Sequence, residues 1–268
     1  MDECRMTMYH GLGMFILGMF AIIVGGMIAW YVINKVEENN EKNNSYRYPK
    51  TQREKVNGLR HYVFDTEKLP SVTTILDQTQ SAEKRESLQR WRDRVGEAEA
   101  TRIVDSAGAR GTAMHKILEK YILEEGYVDQ TTVGKQAHNM AIQVIQSGLS
   151  NVTEYYGTEC TLYYPGLYAG QTDLVGVHKN QDAIIDFKQT NKPKKREWID
   201  DYFLQLGAYA MAHNILFKTQ ISKGVIMMCS ADNFYQEFVV EGEEFQKYKH
   251  NFLRRVDEYY RHRNEKTG

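Results

Sequence analysis

The chain of 268 residues is 42% hydrophobic and 26% charged, with 34 Lys+Arg against 35 Asp+Glu and a formal net charge of −1. Those figures exclude a disordered or collagen-like chain, and near-neutrality gives no global sign of a nucleic-acid binder, although a local basic patch beside an acidic site stays compatible with it. Cys4, Cys160 and Cys229, with no CxxC spacing, exclude a paired disulfide framework and a four-cysteine zinc or iron–sulfur site within one chain.

Residues 1–10 form a short tail, and residues 11–33 carry no charged or amide side chain. A helix of that length reaches roughly 35 Å, enough to cross a hydrocarbon core of about 30 Å. Trp30 and Tyr31 stand near one end, where amphipathic rings favour the interface. This segment is therefore predicted to be a single transmembrane helix that anchors the protein to a membrane. Arg5 precedes it, whereas Lys35, Lys42, Arg47, Lys50 and Arg53 follow, so the positive-inside rule puts the C-terminal bulk in the cytoplasm. If translation starts at Met14, Met19 or Met27, the anchor is lost and the protein is cytoplasmic. Residues 34–56, polar and asparagine-rich, read as a linker. Residues 57–268 are long enough for one domain with its own core.

Within that domain, Leu69-Pro70 marks a break, and Ser71 can cap the short apolar turn that follows. Residues 81–104 read as one or two exposed helices, interrupted at 108–112. Thr112 then opens a strong helix carrying Met114, Ile117, Leu118 and Tyr121, closed by Gly126, and another helix covers about 132–146. After Gly148 the pattern changes. Residues 155–163, 168–178 and 182–188 are short runs rich in Tyr, Val, Ile and Thr, predicted as three antiparallel strands joined by tight turns. A helix over 197–214, strands over 221–229 and 234–240, and an amphipathic helix over 243–263 complete an α/β or α+β layered fold.

The chemistry concentrates in the strand meander. Alternation puts Asp186 and Lys188 on one face of the third strand. Asp173 lies in the strand before it and Glu159 in the first, so hairpin pairing can gather three carboxylates. Such a group repels itself and raises its members' pKa values unless a divalent cation such as Mg²⁺ or Mn²⁺, which prefers oxygen ligands, resolves the conflict. Lys188 can then set a point charge beside a metal-bound water or a phosphate. Taken alone, the Asp186-x-Lys188 pair also describes an ordinary solvated strand pair. His115, on the helix opened by Thr112, is compatible with a structural role. Gln205 and Tyr209, four apart, share one helix face that can equally be a polar edge beside a buried stripe.

In order, Gly111-Thr112-Ala113-Met114-His115, Glu159, Gly170-Gln171-Thr172-Asp173, Asp186-Phe187-Lys188 and Gln205-Leu206-Gly207-Ala208-Tyr209 resemble the signature of RecB-family nucleases of the PD-(D/E)XK superfamily. The stretch LPSVTTIL, followed by a helix with Trp91, looks like the small phage and mitochondrial-genome-maintenance exonucleases of that group. The resemblance spans about residues 69–215. It implies a PD-(D/E)XK restriction-endonuclease-like core, a mixed sheet flanked by helices. It implies Asp173 and Asp186 as paired metal carboxylates, His115 completing the metal shell, and Glu159 as the more variable acid. Lys188 matches the catalytic lysine, and Gln205 and Tyr209 the helix motif that positions the lysine or the DNA. Three cysteines depart from the iron–sulfur members, so no iron–sulfur cluster is expected.

The implied activity is metal-dependent hydrolysis of DNA, exonucleolytic, on single-stranded or free-ended strands, with Mg²⁺ or Mn²⁺ as cofactor. Lys192, Lys194, Lys195 and Arg196, following the third strand, can hold phosphates or be a solvated turn, and Trp91 can stack on an unpaired base. An endonuclease of the same superfamily, or a catalytically silent membrane-tethered nucleic-acid-binding module, remains open at this stage, as does an adaptor that binds only protein.

Overall fold

The computed structural model describes residues 26, 27, 30, 46–65 and 67–267. Asn43–Gly268 forms one compact unit and Met1–Lys42 another. The expected transmembrane helix and the membrane-anchored localisation built on it are corrected here. Among the described residues no helix is long and apolar enough to cross a membrane. Residues 11–33 lie outside the described residues except for Gly26, Met27 and Trp30, which are helical and exposed. An apolar run supplies only the length for a span, and a span also needs one continuous apolar helix of about 20 residues.

The second unit opens with a small antiparallel sheet, β1 (Gln52–Val56), β2 (Leu59–Val63) and β3 (Lys68–Pro70). The polar stretch expected to serve as a linker up to residue 56 thus contains a strand. Asn57 and Gly58 turn the hairpin with φ of 53° and 78°, a left-handed pair that Asn-Gly adopts at little cost and whose twist matches the flanking strands. Tyr62 and Leu69 pack with Ala169, and a bridge from Ser71 to Ala169 ties this sheet to the larger one.

Ser71 caps α1 (Val72–Gln78) as its spacing predicts, its hydroxyl accepting the Thr74 N–H at 3.0 Å. Next come α2 (Ala82–Val95) and α3 (Glu97–Ile122), separated at Gly96, whose φ of 86° suits glycine. The break expected at 108–112 is absent, and α3 runs straight through it. Gly108 and Gly111 each cost a helix roughly 1 kcal/mol. Packing offsets that cost at Gly111, where a Cβ would lie 3.2 Å from the Gln189 side chain. α4 (Thr132–Ser147) then packs along α3.

The main sheet has the order β4-β5-β6-β7-β8, from β4 (Val152–Tyr164), β5 (Tyr168–His178), β6 (Gln181–Thr190), β7 (Lys223–Ser230) and β8 (Tyr235–Glu241). All neighbours are antiparallel except β6 and β7, which run parallel. A parallel pair needs a crossover, and α5 (Asp200–Phe217) supplies it. α6 (Gly242–Thr267) closes the unit.

Helices cover both faces of the sheet, and alternation along the strands sorts the core into two layers. Ile184, Ile226 and Met228 join Phe203 and Leu206 of α5 and Phe252 of α6. Ile185, Phe187, Val225 and Met227 join Met114 and Leu118 of α3 and Met140 of α4. Each large apolar side chain fully buried this way stabilises the fold by about 1.5–3 kcal/mol. α5 is apolar nearly all round, as a helix buried between a sheet and another helix must be. Polar residues on such a helix need a reason.

Candidate metal and phosphate site

β5 and β6 part company at one point. Their ladder runs from His178↔Gln181 to Leu174↔Ile185 and stops there, while β6 continues from Asp186 to Thr190 paired only with β7. Phe187 N–H has therefore lost a β5 carbonyl on that side, and a buried backbone donor must find another acceptor. It donates to Asp173 Oδ2 at 2.6 Å. The fork between the strands holds the two aspartates where the backbones separate.

Three elements bring further groups to the fork. His115, on α3, contacts Asp173 Oδ1 through Nδ1 at 3.1 Å. Glu159 stands on β4 between Thr158 and Cys160, whose partners are Leu174 and Thr172, and so lies beside Asp173. Its φ of 51° is left-handed, a conformation that costs a non-glycine residue on the order of 1 kcal/mol and tends to cluster at functional sites. Ligand atoms of His115, Glu159 and Asp173 all lie within 4.8 Å of one another. Lys188 ion-pairs with Asp186 at Oδ2, an atom that makes no hydrogen bond. The Lys188 ammonium also sits 5.0 Å from the centre of the Tyr202 ring.

The electrostatics are those of crowded like charges. Burial, reinforced by Asp173, pushes the Glu159 carboxyl up to about 7. Burial also pushes Asp186 up to about 6; the ammonium of Lys188 opposes the shift and Asp173 adds to it. Burial alone would lower His115, but the Asp173 carboxylate outweighs it and holds the imidazole up at about 9. Asp173 is itself held low, because His115 and Lys188 outweigh its burial. Lys188 is held high by Asp186 against its own burial. An imidazolium and an ammonium thus do part of what a cation between the carboxylates would do. The donor set of His115, Glu159 and Asp173, one imidazole and two carboxylates, has the chemistry of a divalent-metal site.

On the other side of the fork, Gln205 Nε2 donates to the Tyr209 hydroxyl at 2.9 Å, so these two polar residues of α5 satisfy each other. Tyr209 lies over Gly170, where a Cβ would come within 2.5 Å of its ring. The glycine that precedes Asp173 by three residues is there because the tyrosine needs the space. Gly111 admits Gln189 in a similar way, and Arg110, buried on α3, donates from Nε to Gln189 Oε1 at 2.9 Å and from Nη2 to Asn191. This brace between the His115 helix and the end of β6 was not read from sequence; a cation inside an otherwise small-residue helical turn was its only signal.

A cleft of about 650 Å³ opens over the fork, reaching His115, Glu159, Asp173, Gln205 and Tyr209. It also reaches Arg53 and Arg60 of the N-terminal sheet, two residues that sequence reasoning did not assign to a site. The basic run after β6 does not line this cleft. Arg196 is occupied, with Nη1 donating to the Val239 carbonyl at 3.0 Å, Nη2 to Glu244 at 2.8 Å, and its guanidinium 4.6 Å from the centre of the Phe203 ring. Lys194 exchanges backbone hydrogen bonds with the Gln236 amide, Lys195 sits over Trp198, and Lys192 is exposed. Trp91 is half-buried on α2 and does not line the cleft either.

No protein-family model matches the chain. Mitochondrial genome maintenance exonuclease 1 of Mus musculus is 29% identical over 204 residues, covering 71% of this chain and 59% of the mouse protein. The Homo sapiens protein of the same name is 27% identical over 206 residues, covering 71% of this chain and 58% of its own length. That of Xenopus tropicalis is 26% identical over 208 residues, covering 68% and 58%. The chain thus spans somewhat less than two thirds of these curated relatives. A solved structure from Eubacterium rectale, provisionally described as an exonuclease, superposes with a TM-score of 0.44 at 11% identity, covering 60% of this chain and 68% of that one. A score that low carries no argument.

Proposed function

We propose that this chain, which is of the RecB type of PD-(D/E)XK nuclease, is a metal-dependent DNA exonuclease acting on single-stranded or free-ended strands. The observation that carries the reading is the fork, where Lys188 and His115 meet the carboxylates of Asp173 and Asp186, with Glu159 beside them. The word exonuclease in the relatives' name supports ends rather than internal sites as the point of attack, and genome maintenance supports DNA.

Asp173, Asp186 and His115, with Glu159 beside them, would hold Mg²⁺ or Mn²⁺. A divalent ion bound there lowers the pKa of a bound water and offsets the charge that develops on the scissile phosphate. Asp173 is fixed for that task from two sides, by Phe187 N–H on Oδ2 and His115 on Oδ1. Lys188, ion-paired with Asp186 in this structure, would with a metal bound be placed to point its ammonium at the attacking water or at a phosphoryl oxygen. Tyr209, held by Gln205, walls the cleft beside Asp173 and keeps the strand in register. His115, whose imidazole Asp173 holds protonated, would have to be neutral to ligate a metal, so uptake would be linked to proton release.

End-labelled single- and double-stranded DNA and a closed circle, incubated with the protein in Mg²⁺, Mn²⁺ or EDTA, test this reading. Metal-dependent shortening from an end that Lys188→Ala abolishes is expected. Nicking of the closed circle would make the enzyme an endonuclease. Folded protein that leaves every substrate intact would overturn the assignment.

A further inference from the structure

The N-terminal hairpin carries cations where a sheet least tolerates them. Alternation puts Arg53 and Lys55 of β1 on one face with Arg60 and Tyr62 of β2. The register pairs Arg53 with Tyr62 and Lys55 directly with Arg60. Like charges directly opposite across an antiparallel pair destabilise it. No carboxylate ion-pairs with Arg53, Lys55 or Arg60 among the described residues, and all three are exposed. The opposite face of the same hairpin is neutralised, because Glu54 pairs with Lys68. A one-sided strip of cations is therefore maintained at some cost to the sheet.

The strip is also held in place. The Arg60 carbonyl accepts hydrogen bonds from Ser71 N–H at 3.0 Å and from the Thr74 hydroxyl at 3.1 Å. The Thr74 hydroxyl is in turn engaged by the Ser71 cap at 2.8 Å. At the far end of β2, the Gly166 N–H donates to Glu67 at 2.8 Å, tying the β2–β3 loop to the β4–β5 turn. Arg53 and Arg60 line the cleft that contains Glu159 and Asp173, yet neither forms an ion pair with those carboxylates. The cleft has an acidic floor suited to a cation and a basic rim suited to an anion, kept apart.

We propose that Arg53, Lys55 and Arg60 form a phosphate-binding rail. It holds the backbone of a single nucleic-acid strand along the hairpin while another phosphate of that strand lies at the fork. The inference rests on the nuclease reading for the identity of the strand, but the rail is a binding surface and is tested as one. Phosphate contacts of this kind give affinity and register without sequence preference.

The experiment measures binding of a fluorescent oligothymidylate to the full chain in EDTA, across a salt series, for wild type, Arg53→Ala/Arg60→Ala, Lys55→Thr and Arg53→Lys/Arg60→Lys. Melting temperatures are recorded alongside. For single strands each phosphate contact contributes about 0.7 to the slope of log K against log salt. The double alanine variant is expected to lose roughly 1.4 of that slope and about tenfold or more in affinity at low salt. The double lysine variant keeps the slope. Lys55→Thr is expected to bind more weakly while melting no lower than wild type, since it removes a like-charge pair; a merely structural residue would not do both.

An unchanged slope and affinity in the double alanine variant would overturn the rail and leave the nuclease reading standing. Loss of binding without change of slope, or with a collapsed melting temperature in Lys55→Thr, would also overturn it. Slope-dependent binding by a protein that never cleaves would keep the rail and sink the nuclease.

Discussion

Two clefts of similar size lie on this protein, and they treat charge in opposite ways. The larger, about 880 Å³ between α2, α5 and α6, contains Asp200, Asp201, Lys84 and Arg255. There Asp201 is bridged by Lys84 and, at 3.5 Å, by Arg255. Arg255 also donates to Thr79 and to the Leu76 carbonyl, and Tyr248 donates to Asp200 at 2.9 Å. Asp201, Lys84 and Arg255 are thus occupied with one another, and Asp200 by a hydroxyl. In the smaller cleft, carboxylates crowd against carboxylates over the fork, while Arg53 and Arg60 at the rim form no ion pair among the described residues. Size does not separate the two; the unfinished electrostatics do.

That contrast can be broken by experiment. The largest expected effect is on cleavage. Asp186→Asn or Lys188→Ala is expected to reduce it about a thousandfold or more, on the scale of lost electrostatic and proton-transfer assistance. Asp201→Asn, in the paired cleft, should leave the rate within about twofold, because surface pairs contribute little. A comparable loss from Asp201→Asn would mean that the larger cleft is part of the site.

Metal should then stabilise through only one cleft. Mn²⁺ at a hundredfold excess over its Kd adds about 2.7 kcal/mol, or roughly 5–10 °C of melting temperature for a domain of this size. EDTA should remove the increment and Asp173→Asn prevent it, while Asp201→Asn keeps it. A rise that survives in Asp173→Asn would place the ion elsewhere.

A third test separates burial from crowding. His213 is fully buried, between the Tyr48 hydroxyl at 3.2 Å and Thr219 at 2.8 Å. Burial pushes its imidazole down to about 4. A depressed folded-state pKa makes its contribution complete above the unfolded value near 6.5 and lost as pH falls through 4. Stability in denaturant should fall by about 2–3 kcal/mol over that window, and His213→Gln should flatten the fall. An unchanged acid limb in His213→Gln would assign it to other groups.

The smallest effects have opposite signs in the two clefts. At neutral pH without metal, Glu159→Gln should raise stability by about 1 kcal/mol, because it removes a carboxylate whose charged form the fold disfavours. Asp201→Ala should lower stability by about 0.5–1 kcal/mol, since it leaves Lys84 and Arg255 without their partner. Urea melts in EDTA read both, and equal signs would erase the distinction between a finished and an unfinished cleft.

Much of the scaffold of the site was legible in residue order. Pro, Gly and Asn punctuation marked the strands around Asp173 and Asp186, and four-residue spacing put Gln205 and Tyr209 on one helix face. The fork was not legible, because the place where β5 leaves β6 is a property of two backbones and not of either strand's pattern. Arg53 was missed because its strand is polar and reads as tether, and Arg60 because the stretch between that tether and Leu69-Pro70 was not read as a strand, although Asn57-Gly58 between two short runs was a hairpin signal. α3 runs through Gly108 and Gly111, and the space at Gly111 is taken by Gln189, far along the chain. Hydropathy alone put a membrane span at residues 11–33, whereas among the described residues no helix is long and apolar enough to cross a membrane.

The pairing of β6 has a consequence for the order in which the protein is made. Asp186, Phe187 and Lys188 are laddered to Ile226, Met227 and Met228 and to nothing on β5. On a ribosome every proposed ligand and Lys188 emerge before the strand that straightens the end of β6. A nascent chain can therefore carry the whole set of reactive side chains and still lack their geometry. If the proposed activity is right, a truncated product that ends after α5 lacks the strand that β6 pairs with beyond Ile185 and is expected to be inactive on nucleic acid.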